Sequence, residues 1–244
     1  MKIINKLKKQ ILLEGSLVDV QEWQSTKIKQ KMVELNNLYF SFDCPYYTND
    51  LAALTKADIP WAENHFQERV GGKALNPGKQ WENWPFYQRE KDDKRFRNNN
   101  GDLFDHTYME RFWSPKDLKG IRYNFGDYHD IINRLNKNPY NRQSYLSIWH
   151  PEDQSNDKTN KRVPCTLGYF FQIRNGIIDM TYHIRSCDII RHLKNDLYMS
   201  GRLLQRTSQL LNCAPQPGKV YVWIGNLHCF ESDLHYLKKE CQEY

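Results

Sequence analysis

No stretch of this 244-residue chain approaches the ~20 consecutive apolar residues that a membrane-crossing helix requires. The basic opening from Met1 to Lys9 also lacks the long apolar core of a secretory leader. Both absences point to a soluble protein, expected in the cytoplasm. Cysteine is sparse: Cys44, Cys165, Cys187, Cys213, Cys229 and Cys241 form no CxxC pair and no cysteine–histidine cluster with zinc spacing. Neither a disulfide scaffold nor a structural metal is therefore expected, and the thiols read as reduced. No internal repeat is visible, which excludes solenoid and propeller architectures. Charge of one sign does not dominate either. The 35 Lys+Arg against 29 Asp+Glu leave +6, which suits an anionic ligand such as a nucleotide phosphate without demanding a nucleic-acid polymer.

What the chain does have is 39% hydrophobic and 14% aromatic residues, enough for a substantial core in one domain over 1–244. The one compositional break is the polar stretch Arg89 to Gly101, which reads as a mobile surface insertion over 89–101.

From Asp127 onward Tyr128, Ile131, Ile132 and Leu135 recur at helical spacing, and Asn138-Pro139 stops the pattern. Ser144 to Trp149 reads as a strand. Leu167 to Ile173 and Ile177 to Ile184 are strand-like, and Asn175-Gly176 between them is a hairpin signal because both residues tolerate positive φ. That hairpin brings Cys165 and Arg185 to the same end of two antiparallel strands. His192 to Leu211 reads as a helix with an apolar face despite Gly201, Lys219 to Ile224 as a strand, and Leu234, Leu237 and Cys241 as a last short helix.

Cys165, in Arg162-Val163-Pro164-Cys165-Thr166, is the candidate nucleophile, and Arg185-Ser186 is the candidate phosphate holder. A thiolate is the reactive form, and a neighbouring guanidinium of permanent charge favours it. Taken singly, a cysteine is more often a small buried hydrophobe than a nucleophile; the ordered set is what argues for chemistry.

These residues resemble the thymidylate synthase family, which includes pyrimidine nucleotide hydroxymethylases. Pro164-Cys165 resembles the nucleophile motif, Arg185-Ser186-Cys187-Asp188 the RSxD motif, and Gly225 to Phe230 the stretch around a ribose-binding histidine, His228. Pro139-Tyr140-Asn141-Arg142 resembles the segment whose arginine reaches the phosphate of the neighbouring subunit. Upstream, Trp81-Glu82-Asn83-Trp84, Gly101-Asp102-Leu103 and Tyr108 follow in the family's order, and Glu63 is the candidate general acid/base carboxylate.

The resemblance implies an α/β fold with a large mixed sheet flanked by helices, and a sheet-mediated homodimer in which Arg142 enters the partner's site. It implies 5,10-methylenetetrahydrofolate as one-carbon donor, contacted by Asp188, Trp81 and Trp84. Cys165 would add to carbon 6 of a pyrimidine nucleotide, with Glu63 and Tyr108 handling protons and Arg185, Ser186, Arg142 and His228 binding phosphate and ribose. Thymidylate synthases place asparagine where Asp196 stands, to pair with uracil. An aspartate with a shared proton suits the N4 amino group and N3 of cytosine instead. Asp196 and Cys165-Thr166 thus resemble the cytidylate hydroxymethylases, which implies transfer to dCMP or CMP giving 5-hydroxymethylcytidylate. The alternatives are methyl transfer to dCMP or dUMP, and a degenerate homologue that only binds nucleotides. Three departures stand out: Gln143 and Phe230 replace an expected arginine and tyrosine, and the chain ends at Tyr244, soon after His228, without the long closing segment of ordinary synthases.

Overall fold

The computed structural model describes residues 2–20, 30–86, 104–113, 126–154 and 163–242. The 89–101 insertion, Gly101-Asp102-Leu103 and Arg162 lie outside the described residues. In chain order the elements are α1 (Lys2–Glu14), β1 (Ser16–Val20), β2 (Gln30–Asp43), α2 (Thr48–Thr55), α3 (Trp61–Arg69), α4 (Tyr108–Phe112), α5 (Tyr128–Lys137), β3 (Tyr145–Ser147), β4 (Thr166–Arg174), β5 (Ile177–Asp188), α6 (Leu193–Leu210), β6 (Gln216–Phe230) and α7 (Leu234–Gln242). The six strands form one mixed sheet in the order β1-β2-β6-β5-β4-β3, flanked by helices and antiparallel except for the parallel β5–β6 pair.

Asn175 and Gly176 take positive φ (52° and 72°) and turn β4 into β5, as their residue types predict. Alternation then fixes the faces. Ile178, Met180, Tyr182 and Ile184 of β5 and Val220, Val222 and Ile224 of β6 are buried, and α6 packs across these two strands. Each such side chain contributes about 1.5–3 kcal/mol of burial. Gly201, which looked like a flaw in α6, is where α2 crosses: a Cβ there would stand 2.7 Å from both methyl carbons of Leu51. The opposite sheet face carries aromatic side chains. Tyr39, 65% exposed, stacks on Tyr221 at 6.3 Å, and His183 lies between Tyr145 (5.8 Å) and Trp223 (6.3 Å).

Two caps anchor the segments that reach the site. Asp127 accepts from the Asp130 amide (3.0 Å) to start α5, which ends before Pro139 as its sequence predicts. Thr107 and Glu110 form a capping box at the start of α4, and Arg111 locks that helix through a bidentate pair with Asp153 (2.8 and 3.0 Å). Tyr108 is thereby fixed in place. The terminal strand β6 runs to Phe230 rather than stopping near Ile224, so His228 sits on a strand and pairs with Asp188.

Candidate active site

The hairpin delivers Cys165 and Arg185 to one place. Arg185 N donates to the Cys165 carbonyl (2.8 Å), so the thiol sits one residue before β4 in a continued ladder. The Arg185 side chain turns back onto the same turn: Nε donates to the Pro164 carbonyl (2.8 Å), Nη2 to the Val163 carbonyl (3.1 Å), and Nη2 lies 3.9 Å from Cys165 Sγ. Trp149 covers the guanidinium at 5.6 Å. On the other side, Thr166 Oγ1 meets Tyr182 Oη (3.0 Å) and donates to Tyr108 Oη (3.3 Å). Burial raises the Tyr108 phenol above its usual range, reinforced by Cys165 and opposed by Arg69.

Asp196 stands in the first turn of α6, half-buried, with the Cys187 thiol 3.7 Å from Oδ2. Burial pushes its carboxyl up to about 6, against the opposing charge of Arg69 and the Cys187 hydrogen bond. Cys187 itself is buried, and burial followed by Asp196 and Asp188 holds it well above the thiol range, so it packs as a neutral group.

Ser186 and His228 face each other across β5 and β6, with Ser186 Oγ 3.5 Å from His228 Nδ1. Asn226 gives its amide hydrogens to Glu34 and Asn36, so its Oδ1 faces His228 Nδ1 (3.0 Å). This network assigns the proton to Nδ1 and leaves Nε2 as the acceptor. Burial lowers His228 to about 4, so the ring is neutral at physiological pH.

Asp188 is buried, with Oδ1 accepting from Ile190 N (2.8 Å) and Arg191 N (3.0 Å) and Oδ2 without a hydrogen-bond partner. Arg191 Nε stands 3.5 Å from Oδ2 and is engaged by Asp233 at 2.8 Å. Burial raises Asp188 to about 6, opposed by the Arg191 amide and charge. Trp84 stacks on His192 at 4.9 Å, on the residue that opens α6, and its buried Nε1 also has no partner. Trp81 packs edge-on against Phe104 at 5.1 Å.

Glu63 is not hydrogen-bonded into this cluster, and Arg142, which the resemblance sends to a partner's site, stands apart from it in its own chain. Glu63 is gripped by Arg202 (Nε to Oε2 2.8 Å, Nη2 to Oε1 2.9 Å), Tyr198 (2.7 Å) and Gln67 (2.7 Å). Burial alone would raise it, but these hydrogen bonds, Arg202's first, hold it below the usual carboxylate range. Its bonds run to α6 and its own helix rather than to Tyr108 and Thr166. Arg142 is exposed in the turn before β3. Ser144 lies opposite Phe171 in the sheet, while Cys165 is at the other end of β4, roughly 20 Å away at ~3.3 Å per strand residue. Arg142 cannot reach the thiol of its own chain.

Sequence reading missed Arg69. It ends α3, 5% exposed, its Cζ 4.1 Å above the Tyr108 ring centroid. Its Nε and Nη2 stand 3.4 and 3.1 Å from Nε2 of His65, whose ring burial and the Arg69 charge push down to about 4. The signal was present: Ala62, Phe66 and Arg69 share one buried helical stripe, where a charge is out of place.

Comparison with known proteins decides the family, since residues 47–243 match the profile of thymidylate synthase. The chain belongs to the thymidylate synthase family. Members draw a one-carbon unit from 5,10-methylenetetrahydrofolate. Similar relatives include the thymidylate synthases of Enterobacteria phage T4 (26% identical over 114 residues, 47% of this chain and 37% of the relative) and of Streptococcus thermophilus (25% over 159 residues, 56% and 54%). A deoxyuridylate hydroxymethyltransferase of Bacillus phage SP01 is 32% identical over 92 residues, 36% of this chain and 24% of the relative. The chain thus spans about half or less of the length of these thymidylate synthase relatives. No described helix is long and apolar enough to cross a membrane.

Proposed function

We propose that this protein transfers a one-carbon unit to carbon 5 of a cytidine monophosphate, dCMP or CMP, giving 5-hydroxymethylcytidylate through a covalent bond between Cys165 and carbon 6. The observation that carries the reading is Asp196, a half-buried carboxyl whose proton is held up to about 6 beside the nucleophile's strand pair. Such a group accepts from the N4 amino group with one oxygen and gives a proton to N3 with the other.

The Arg185 guanidinium, 3.9 Å from Cys165 Sγ, favours the thiolate. As sulfur bonds to carbon 6, the carbon 5–carbon 6 π pair would shift to carbon 4–carbon 5 and the carbon 4–N3 pair to N3, which takes the Asp196 proton, making carbon 5 a nucleophile. Once the one-carbon unit is bonded there, the carbon 5 proton is lost and tetrahydrofolate has left, water would add to the exocyclic methylene, and the Cys165 thiolate would be expelled as carbon 5=carbon 6 re-forms. Tyr108 and Thr166, hydrogen-bonded to each other beside Cys165, are assigned the relay that carries the carbon 5 proton to water. Glu63, held ionised by Arg202, is a poor proton carrier at neutral pH, and we assign it the positioning of α3 against α6.

Methylenetetrahydrofolate would supply the one-carbon electrophile. The residues fit a heteroaromatic ligand with donors and acceptors on its edge: Asp188 Oδ2 and Trp84 Nε1 are buried polar atoms without hydrogen-bond partners. Asp188, Trp84 and Trp81 would hold it. Arg185 and Ser186 would bind the phosphate and His228 the ribose, with Arg142 entering from a second copy. The aromatic sheet face bearing Tyr39, Tyr221 and Trp223 would join the copies, and the ~20 Å along β4 between Cys165 and the Ser144–Phe171 pair that follows Arg142 supports an exchange of this kind.

The test is tritium release from carbon-5-labelled dCMP, CMP and dUMP with methylenetetrahydrofolate, with product masses, in wild type and Cys165→Ala. Release from a cytidine nucleotide that vanishes in Cys165→Ala, with a hydroxymethyl product mass, is expected. A second reading, transfer to a uracil base, is favoured by the name of the phage SP01 relative and predicts release from dUMP instead. No release from any nucleotide would leave a nucleotide-binding homologue.

A further inference from the structure

The Arg111–Asp153 pair does more than lock α4, because the same two side chains hold both neighbours of Trp149. Arg111 Nη1 donates to the Ile148 carbonyl (3.2 Å), and Asp153 Oδ2 accepts from His150 N (2.9 Å) as well as from Arg111 (3.0 Å). Trp149 is itself tied at both ends: its N donates to the Leu167 carbonyl (3.1 Å), just past Cys165 on β4, and its carbonyl accepts from Ser147 Oγ (2.7 Å). The Arg111–Asp153 pair is nearly buried, where such bonds are stronger than in water.

The backbone at Trp149 is therefore pinned by α4, by the turn 151–154 and by β4. What that backbone presents is the indole, with Arg185 Cζ over the ring at 5.6 Å. The same guanidinium holds the Pro164 and Val163 carbonyls and lies 3.9 Å from Cys165 Sγ. It thus stands between the indole and the nucleophile's turn.

We propose that Trp149 is a positioning residue for the nucleophile: its indole holds the Arg185 guanidinium against Cys165, and the Arg111–Asp153 pair holds the indole. The inference rests on the activation of Cys165 by Arg185 given above, and not on which base is bound. Two effects act in one direction. The electron-rich ring face attracts the cation and restricts where it can swing. The ring also keeps water off one side of it, which leaves the attraction between guanidinium and thiolate less screened. The groups that face the thiol include Arg185 and Cys187 of β5 and Tyr108 of α4, and burial keeps Cys187 and Tyr108 neutral at physiological pH. Arg185 is the charged member of that set, so its placement governs the thiolate.

The experiment follows alkylation of Cys165 by iodoacetamide against pH, resolved by mass spectrometry of the Cys165 peptide. It compares wild type, Trp149→Leu, Trp149→Phe, Asp153→Asn and Arg185→Lys. The midpoint of each profile reports the thiolate, whatever the ease with which the reagent enters. In Trp149→Leu it should rise by about half a unit or more, while Trp149→Phe, which keeps an aromatic face, should stay nearer the wild type. Asp153→Asn, whose amide nitrogen cannot accept from Arg111 or His150, should shift it in the same direction as Trp149→Leu without touching the indole. Exposed Cys213, between α6 and β6, is alkylated in the same sample, and its midpoint should not move in any variant. An unchanged Cys165 midpoint in folded Trp149→Leu or Asp153→Asn, beside a raised one in Arg185→Lys, overturns the inference and leaves the functional reading intact. An equal rise at Cys213 would mark a general loosening and also overturns it. If Arg185→Lys leaves the midpoint unchanged, Arg185 does not activate the thiol, and this inference falls with that part of the functional reading.

Discussion

Arg185 Nη2 lies 3.9 Å from Cys165 Sγ, while Arg185 Nε is tied at 2.8 Å to the carbonyl just before that thiol. The cation and the nucleophile are therefore held together by the turn itself, before any substrate binds. Lysine has one ammonium and no fork, so it cannot hold two carbonyls and face the sulfur at once. Arg185→Lys should slow alkylation of Cys165 by iodoacetamide about tenfold or more at neutral pH, through loss of thiolate. Equal rates in the two proteins would refute the activating role.

Cys165→Ser keeps the shape of the turn and replaces the thiol by a weaker nucleophile. Carbon-5 tritium release should fall by about 10³ or more, with the melting temperature within a few degrees of wild type. A mass shift equal to one nucleotide, trapped in the wild type by a 5-fluoropyrimidine nucleotide and missing in the variant, would identify the covalent bond.

Asp196 has a folded-state pKa raised to about 6 from 3.8. Its burial therefore disfavours the fold as pH rises from about 4 to about 6, and the penalty is complete above that window. Asp196→Asn should raise the melting temperature by a few degrees at pH 7–8, and the gain should vanish toward pH 4. The same variant should move nucleotide preference from dCMP toward dUMP. A melting difference independent of pH would contradict the assignment.

Glu63 behaves in the opposite sense, since Arg202 and Tyr198 hold it below its usual value. Its contribution is present above about pH 4.5 and is lost as pH falls through the depressed folded value. Glu63→Gln leaves the Arg202 guanidinium without its carboxylate, and partial exposure of the pair limits the loss to about 1–3 kcal/mol. Urea titration at pH 7 should show that loss, and the difference between the two proteins should shrink as pH falls through the depressed value.

Arg142 and Cys165 stand too far apart to serve one site within one chain. Mixing Arg142→Ala with Cys165→Ala after subunit exchange should restore activity, up to on the order of a quarter of the wild-type level, because some mixed dimers carry one intact site. Two inactive proteins that stay inactive when mixed would argue that Arg142 does not act across subunits.

The strands and the hairpin were legible because they rest on local rules. Asn175-Gly176 needs positive φ wherever it stands, and a period of two marks β4 and β5 as half-buried strands. The amino-terminal third was less legible. In β2 the partner β6 is remote in sequence, and Gly201 made sense only once Leu51 was found against it. Glu63 illustrates the harder case, since nothing near it in the chain announces Arg202 or Tyr198, which come from a helix in the second half of the sequence.

Sequence alone determined the ordered residue types, Cys165 before a strand, Arg185-Ser186 at the end of the next and Asp196 in the helix after it, because turn chemistry and periodicity act between neighbours. Tertiary structure alone decided which charges meet. Arg69 lies over Tyr108, Glu63 is consumed by Arg202, and Arg142 stands at the wrong end of β4 for its own thiol. Coulomb forces and desolvation depend on distance in space and on what excludes water, and neither is written along the chain.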